Sequence, residues 1–463
     1  MLIQLNSNQS KLKDQLQEYF AGLISPELKA ELSNPKYFEG GGPEFKQAMR
    51  TMGADGWIGL SWKKELGGKE LSPMEQYIFV ETVMRTGFPF PFLTTESVGP
   101  MIAEYGSDWA KDEIATKILQ GELIFGIGYS EPNSGTDLAS LQTKAIKEND
   151  GYLINGQKMW TSLANFSDYI WLAARTDFEV KNHKGISMFI VPTTDPGFSL
   201  SAINTLGDVR TNATFYEDIK VPDSHLVGNL NEGWSLITSQ LNLERLALVN
   251  HGPVEELYKN VLALAQKTKI NNDQFLIDLS WVKQNFAEIH SGIEALKLIC
   301  WKQTWIMESG QLNMAEASVA KVYGSEFFIE AYRLLMEIMG ELSLLKNNSE
   351  LNVLNSRLER MYRTASILTF GGNVDTIKDF GPLEDYEISD LSADGLTPMG
   401  EAVEKALDLL ADRKNQYKDQ MIEYYQPWLV LMTDGVPTDN YSLASSKIQT
   451  LVNSKKLVVF PVA

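Results

Sequence analysis

The sequence predicts a multidomain α+β protein in which helical and stranded stretches occupy separate parts of the chain, followed by a short segment of α/β rhythm. Three observations carry this expectation. Apolar residues recur at helical spacing over 8–37 and 68–120; short β-like runs replace them between Glu122 and about Pro222; and the helical period returns after Asn231-Glu232-Gly233. With 463 residues, 44% hydrophobic and 22% charged, the chain has the composition of a folded protein and the length of roughly two to four domains.

The first 120 residues read as mostly helical, interrupted by a Gly- and Pro-rich loop from Phe38 to Pro43. The runs LIFGIGYS, TKAIKE, GYLINGQKMW, YIWLAART, GISMFIVP and TFYEDIKVP then read as strands, because each is apolar or β-branched and is bounded by turn signals such as EPNSGTD, ENDG and TDPG. They predict a compact antiparallel β module. Long helical segments follow near 233–267, 278–309, 314–345 and 349–368. Beyond Phe380, Thr397-Pro398 opens an amphipathic helix, TPMGEAVEKALDLLADRK, and the apolar strands WLVLMTDG and KLVVFPVA flank a polar helix-like stretch. The expected domains are therefore 1–120, 121–232, 233–380 and 381–463.

The formal charge of -19, from 41 basic and 60 acidic residues, repels phosphate backbones and anionic lipid, so nucleic acid is a poor expectation. The single cysteine, Cys300, excludes an intrachain disulfide or a thiolate cluster and reads as a buried small hydrophobe in LKLICWKQTW. The N-terminal stretch lacks a basic segment followed by an apolar run, and nowhere do about 18 apolar residues run together. A cytoplasmic protein without a membrane span is expected.

Two motifs suggest a ligand site. FGIGYSEPNSGTDLAS (125–140) leaves a strand through a loop dense in small and hydroxyl residues, offering backbone N–H groups and short O–H donors to a polar ligand; Gly126-Ile127-Gly128 lacks the third glycine and helix of a dinucleotide fingerprint. Downstream, Trp160-Thr161-Ser162 at a strand end suits a planar ring that needs stacking and edge hydrogen bonds.

SEPNSGTD and KMWTS, together with GWIGLSWKKELGGKELSPMEQ and YEDIKVPDSHLVGNLNEGW, resemble the acyl-CoA dehydrogenase family in order over about residues 8–378. The resemblance implies an N-terminal helical domain, a β-barrel-like middle domain and a C-terminal four-helix bundle. It implies FAD as cofactor, an acyl-CoA substrate oxidised to 2-enoyl-CoA, an electron-transfer flavoprotein as acceptor, and assembly as a homo- or hetero-oligomer. It sets Phe125, Ile127, Ser130, Trp160, Thr161, Ser162, Gly371 and Gly372 on the flavin side, and Thr136 and Arg245 on the substrate side. Ser130 stands where the family usually has Thr, and Thr136 where it usually has Ser; both keep the hydroxyl donor.

The reaction requires a carboxylate base that works best when partly desolvated. In SLITSQLNLERLALVNHG, Glu244 shares the azimuth of Ile237, Leu241 and Leu248, while Arg245 points about 100° away. LNLERLAL resembles the branch of the family whose base sits on this helix; the late Tyr-Glu-Gly of the other branch is replaced by Gly371-Gly372, leaving Glu244 as the base. Two departures concern the flavin. Val374 stands where the family's Thr approaches the nucleotide, and INNDQF (270–275) replaces the Arg-x-x-Phe-Gly that reaches a neighbouring subunit's FAD. They keep open a second reading, a catalytically weak or partner-requiring subunit of this family that serves as a scaffold.

The tail, LSADGLTPMGEAVEKALDLL with YYQPWLVLMTDGVPTD, resembles part of a von Willebrand factor A domain. Thr397 and Asp434 match two metal ligands of that family, but the Asp-x-Ser-x-Ser loop has no counterpart between Phe380 and Thr397, so a Mg²⁺ site would be incomplete. Metal-dependent binding through this tail is a third reading. Two truncated modules meeting without a linker suggest a recombination, gene-model or assembly junction, and a sheet lacking its first strand predicts low stability for 381–463.

Overall fold

The computed structural model describes residues 4–365 apart from 136, 181–182, 206, 272, 310–313, 346–353 and 355–356; in the tail it describes 400, 403–408, 410–411, 428–432, 441–453 and 458–462. The side chains of 242–248, 314–318, 428–432, 453 and 458–462 are not described. The chain divides into two compact units, Met1–Tyr129 with Gln142–Ser366, and Ser130–Leu141 with Ile367–Ala463.

Six helices open the first unit: α1 (Ser7–Leu23), α2 (Pro26–Leu32), α3 (Pro43–Ala54), α4 (Pro73–Thr86), α5 (Gly99–Tyr105) and α6 (Thr116–Leu119). Their starts are written locally. Asn6 and Gln9 form a reciprocal capping box on α1, and Ser72 and Glu75 another on α4, where Pro73 fills the first helical position that needs no N–H donor. Gly87, at φ 76°, ends α4 in the left-handed conformation. Phe20, Phe45, Met52, Phe79 and Phe90 bury a common core between these helices.

A mixed eight-stranded sheet follows: β1 (Phe125–Gly128), β2 (Lys144–Glu148), β3 (Gly151–Lys158), β4 (Tyr169–Arg175), β5 (Ile186–Pro192), β6 (Phe198–Asn204), β7 (Arg210–Pro222) and β8 (Leu226–Val227). The order is β6-β7-β3-β2-β4-β5-β8, with β1 also paired to β4. The expectation of an antiparallel module requires correction. β1 runs parallel to β4, Phe125 opposite Tyr169 through Gly128 opposite Leu172, and β2 touches β4 in parallel at Lys144 and Arg175. The long excursion through β2 and β3 between β1 and β4 supplies the crossover that a parallel pair needs and a tight hairpin cannot provide. β4 is buried throughout most of its length, between β1 and β5.

The helical part resumes with α7 (Gly233–Leu248), α8 (Gly252–Ala265), α9 (Ser280–Glu308), α10 (Met314–Met339) and α11 (Arg357–Ala365). The segment expected as helical over 233–267 is two helices, because Gly252-Pro253 begins a new first turn; the Pro ring and its missing N–H disfavour an uninterrupted helix. Val254 and Leu257 of α8, Phe286 and Ile289 of α9, Tyr332 and Leu335 of α10, and Leu358 of α11 share one core.

The break between α7 and α8 holds a buried polar network. The Asn250 side-chain oxygen accepts the Gly252 N–H at 2.9 Å, and the Tyr77 hydroxyl lies 3.0 Å from His251 Nδ1. Arg85 bridges Glu81 and Glu255, meeting Glu255 at 2.6 Å, and Lys13 meets Glu81 at 3.1 Å.

In the second unit, β9 (Trp428–Met432) and β10 (Val458–Val462) pair in parallel, Trp428 opposite Val458, with α12 (Ser442–Asn453) between them in the chain. Ala444 of α12 packs with Val403 and Leu407, and Lys447 pairs with Glu404 at 3.1 Å. This is the α/β rhythm expected from the two apolar runs.

Candidate functional site

The site is built from the end of β1, the end of β3, α7 and one irregular helical turn. β3 ends at Lys158, whose side chain is wholly buried and donates from Nζ to the Tyr129 carbonyl at 2.9 Å, tying the ends of β3 and β1 together. Immediately beyond, Trp160 adopts φ 62° and Leu163 φ 63°. Bulky residues rarely occupy the left-handed region, and such strain concentrates at functional sites.

Trp160 and Ser162 are half-buried, and Ser162 makes no hydrogen bond among the described residues. Thr161 between them is buried and already committed: its N–H donates to the Asn212 carbonyl at 2.9 Å, its carbonyl accepts from Asn212 Nδ2 at 3.0 Å, and its hydroxyl lies 3.2 Å from that of Thr214. Thr161 anchors the turn, while the residues on either side remain available.

On β1, Ile127 is half-buried, whereas Phe125 is fully enclosed, its ring stacked on Tyr169 with centroids 5.6 Å apart. The β1 position that meets open space is thus Ile127. Ser130 is half-buried at the head of the following loop. Within that loop, Glu131 and Ser134 exchange backbone hydrogen bonds at 2.9 and 3.1 Å, and the hydroxyls of Ser134 and Ser140 both donate to the Asp137 carbonyl at 2.8 Å. Thr136, Gly371, Gly372, Thr397 and Asp434 lie outside the described residues.

Residues that no motif indicated seat α7. The Tyr129 hydroxyl accepts the Trp171 indole N–H at 2.9 Å and donates to Gln240 Oε1 at 2.9 Å, and Gln240 Nε2 in turn donates to the Ser97 hydroxyl. Gly233, Leu236, Ile237 and Gln240 form the buried stripe of α7. Position 244 falls one turn past Gln240; the side chains of Glu244 and Arg245 are outside the description. The available signal was Gln240 itself, a polar residue in register with an apolar stripe.

Ser97 belongs to a π-helical turn, Leu93–Val98, whose successive residues serve different neighbours. The Thr94 hydroxyl accepts the Phe125 N–H at 2.9 Å, the Thr95 carbonyl accepts the Trp62 indole N–H at 3.0 Å, Glu96 accepts from Gln76, and Ser97 accepts from α7. Single π turns of this kind recur at functional sites. A cavity of about 550 Å³ opens beside it, lined among others by Trp62, Gln76, Tyr77, Glu96, Cys300 and Thr304. Cys300 is buried as expected; burial pushes its thiol up to about 12, and Sγ lies 3.5 Å from the Val249 carbonyl.

A half-buried indole held at positive φ, beside a hydroxyl with no partner among the described residues, offers a planar ring a face to stack on and a donor at its edge. The chain belongs to the acyl-CoA dehydrogenase family: the family's N-terminal domain matches residues 6–122, its middle domain 126–218 and its C-terminal domain 231–376. It is 45% identical over 385 residues to the acyl-CoA dehydrogenase FadE26 of Mycobacterium tuberculosis, covering 82% of this chain and 96% of that protein. It is 40% identical over 379 residues to FadE29 of the same organism, covering 81% and 96%. Among solved structures, one matching chain comes from the ChsE4-ChsE5 complex of Mycobacterium tuberculosis, at TM-score 0.74 and 45% identity over 80% of this chain and 95% of that one. Another comes from the Tcur3481-Tcur3483 steroid ACAD, at TM-score 0.73 and 39% identity over 79% and 93%. Members of the family are FAD-dependent enzymes, and no described helix is long and apolar enough to cross a membrane.

Proposed function

We propose that this protein introduces an α,β double bond into an acyl-CoA, with Glu244 as the base. The seating of α7 supports the assignment: the Trp171–Tyr129–Gln240–Ser97 chain of hydrogen bonds fixes this helix against the end of β1, with position 244 one turn farther on. Glu244 removes the α-proton. Trp160 would stack on the flavin, Ser162 would offer it a hydroxyl donor and Ile127 would pack beside the ring; for Ser130, Gly371 and Gly372 the flavin-side role, and for Thr136 and Arg245 the substrate-side role, are proposed on the family resemblance alone. FAD, when bound, supplies the two-electron acceptor for the β-hydride. Glu244→Gln tests the role: the variant should retain bound flavin yet lose at least about a thousandfold in its reduction by acyl-CoA, in line with removal of a general base. Near wild-type reduction would overturn it.

The names of two matching structures favour a heteromeric form of this reading, since one is a ChsE4-ChsE5 complex and the other a Tcur3481-Tcur3483 steroid ACAD. We infer that this chain acts with a different partner chain on an acyl-CoA whose acyl group carries a steroid-like ring system, passing electrons to an electron-transfer flavoprotein in the cytoplasm. Chains that bind FAD and reduce it only after mixing with a second acyl-CoA dehydrogenase-like subunit would support this; full activity of the isolated chain would remove the need for the partner. For the tail we infer a partial von Willebrand A-like segment, supported by the parallel β9 and β10 with α12 between them. Loss of Mg²⁺-sensitive partner capture in Asp434→Ala would support a metal role for Asp434, and unchanged capture would count against it.

A further inference from the structure

Two arginines of α11 differ from the third. Arg363 is engaged on both sides, by Glu359 and by Asp208. Arg360 and Arg357, one and two turns earlier on the same helix, are half-buried, and neither guanidinium donates a hydrogen bond or forms an ion pair among the described residues. The Arg357 guanidinium lies against the end of α4, where a Cβ on Gly87 would stand 3.1 Å from its Cζ, yet no carbonyl of that end accepts from it. Arg360 lies over the Phe38 ring, its Cζ 4.9 Å from the centroid. Burial holds both guanidinia below the ordinary arginine range, and the charges of Arg357 and Arg363 add to the effect at Arg360. Tyr332 and Glu256 near Arg357, and Asp208 and Glu359 near Arg360, offset part of it. A guanidinium stays charged even so.

Both arginines line a pocket of about 430 Å³ between α2, α8 and α11, within the size range of small-molecule sites. Lys267, just beyond α8, stands exposed at its rim and has no ion pair among the described residues. Two other polar side chains of the wall are already committed: Asn260 donates to Glu256 at 3.3 Å, and the Ser33 hydroxyl to the Lys29 carbonyl at 2.8 Å. Leu32, Leu257 and Leu264 make the rest of the surface apolar. In a chain of net charge -19, three cations converging on one concave space without a carboxylate bound to them leave a local charge that an anion would balance. Guanidinium forks match the oxygens of carboxylate and phosphate, and three positive groups favour the dianion.

We propose that this pocket binds the phosphate group of a small phosphorylated molecule, with Arg357 and Arg360 holding its oxygens, Lys267 at the rim and the leucine wall against the apolar part of the ligand. None of the lining residues belongs to the β1, β3 and α7 site or to the cavity beside the π turn, so the inference does not depend on the dehydrogenase reading.

The test uses full-length protein saturated with FAD and three probes, inorganic phosphate, phenyl phosphate and benzoate, each titrated calorimetrically. Wild type should bind phenyl phosphate about tenfold more tightly than benzoate, and Arg357→Gln and Arg360→Gln should each weaken that binding by about tenfold or more, as loss of a charged hydrogen-bond donor does. Arg357→Lys, which keeps the charge and loses the fork, should fall between. Should the arginine variants fail to fold, Lys267→Gln on the exposed rim should still weaken binding severalfold. Tighter binding of phenyl phosphate than of inorganic phosphate would uphold the proposal with a phosphate ester as ligand; equal binding would uphold it with the free ion. Absence of phosphate binding by wild type, equal binding of benzoate and phenyl phosphate, or binding unchanged in both glutamine variants would overturn it.

Discussion

Two buried acidic sites flank α4 and differ in one respect. At the α7–α8 break, Glu81 and Glu255 are surrounded by Arg85, Lys13, Lys259 and His251, so the carboxylates are met by cations or hydrogen-bond donors. At the cavity, the Gln76 amide donates to Oε2 of Glu96, the Thr95 hydroxyl neighbours the carboxyl, and Oε1 has no hydrogen-bond partner among the described residues. Both sites lie in the same helical layer, but in the first the charge is balanced within the chain, whereas in the second the balance is left to protonation and to whatever fills the cavity. A paired buried acid holds helices together. A half-paired one at a cavity wall suits a ligand.

The sharpest way to break the comparison is to remove Arg85. Arg85→Met leaves Glu81 and Glu255 without their shared cation and should cost about 3 kcal/mol of stability, as deleting one member of a buried pair does, measured by denaturant unfolding. A loss below about 1 kcal/mol would show that the network contributes little.

Acid should act on the two sites in opposite directions. Burial lowers His251 to about 4, so the folded form resists the proton that an unfolded histidine takes up near 6.5, and stability falls as pH drops from about 6.5 to 4. For Glu255, burial alone would raise the carboxyl, but the hydrogen bonds from Arg85 and Lys259 outweigh it and hold it at about 2; its contribution, present above about 4.5, is lost between 4.5 and 2. Glu96 behaves inversely: raised to about 7, it contributes most below about 4.5 and loses that contribution as pH rises through 7. Glu96→Gln should therefore gain on wild type as pH rises from 4.5 to 8, by up to roughly 3 kcal/mol. A stability difference that does not change with pH would mean that Glu96 is not held neutral by burial.

The smallest effect concerns Cys300, which borders the cavity yet has a raised thiol. In native protein at pH 8 it should react with a maleimide much more slowly than a free thiol, and Cys300→Ala should leave flavin binding unchanged. Rapid labelling would show that the cavity wall opens.

Much of the frame was legible because local chemistry writes it. Six of the eight strands of the middle domain coincide with runs of apolar and β-branched residues between turn signals, and α9 and α10 follow their apolar periodicity. β6 escaped notice although Phe198, Leu200 and Ala202 alternate with polar residues; it is an exposed edge strand whose signal is weak, and β8 has only two residues. Of the candidate site, Trp160 and Ser162 were readable from their motif. Tyr129, Lys158, Gln240 and Ser97 were not, since partners 29 to 143 residues apart leave no local pattern.

The sequence by itself determined the order of helical and stranded domains, the family, the burial of Cys300 and the candidacy of Glu244, because periodicity, turn residues and motifs are properties of neighbours along the chain. Only the tertiary structure decided that β1 enters the sheet parallel to β4, that a π turn joins β1, α7 and a cavity, and that one oxygen of Glu96 has no partner among the described residues. Whether a buried polar atom is satisfied depends on which distant groups packing brings within about 3 Å of it, and no spacing along the chain encodes that distance.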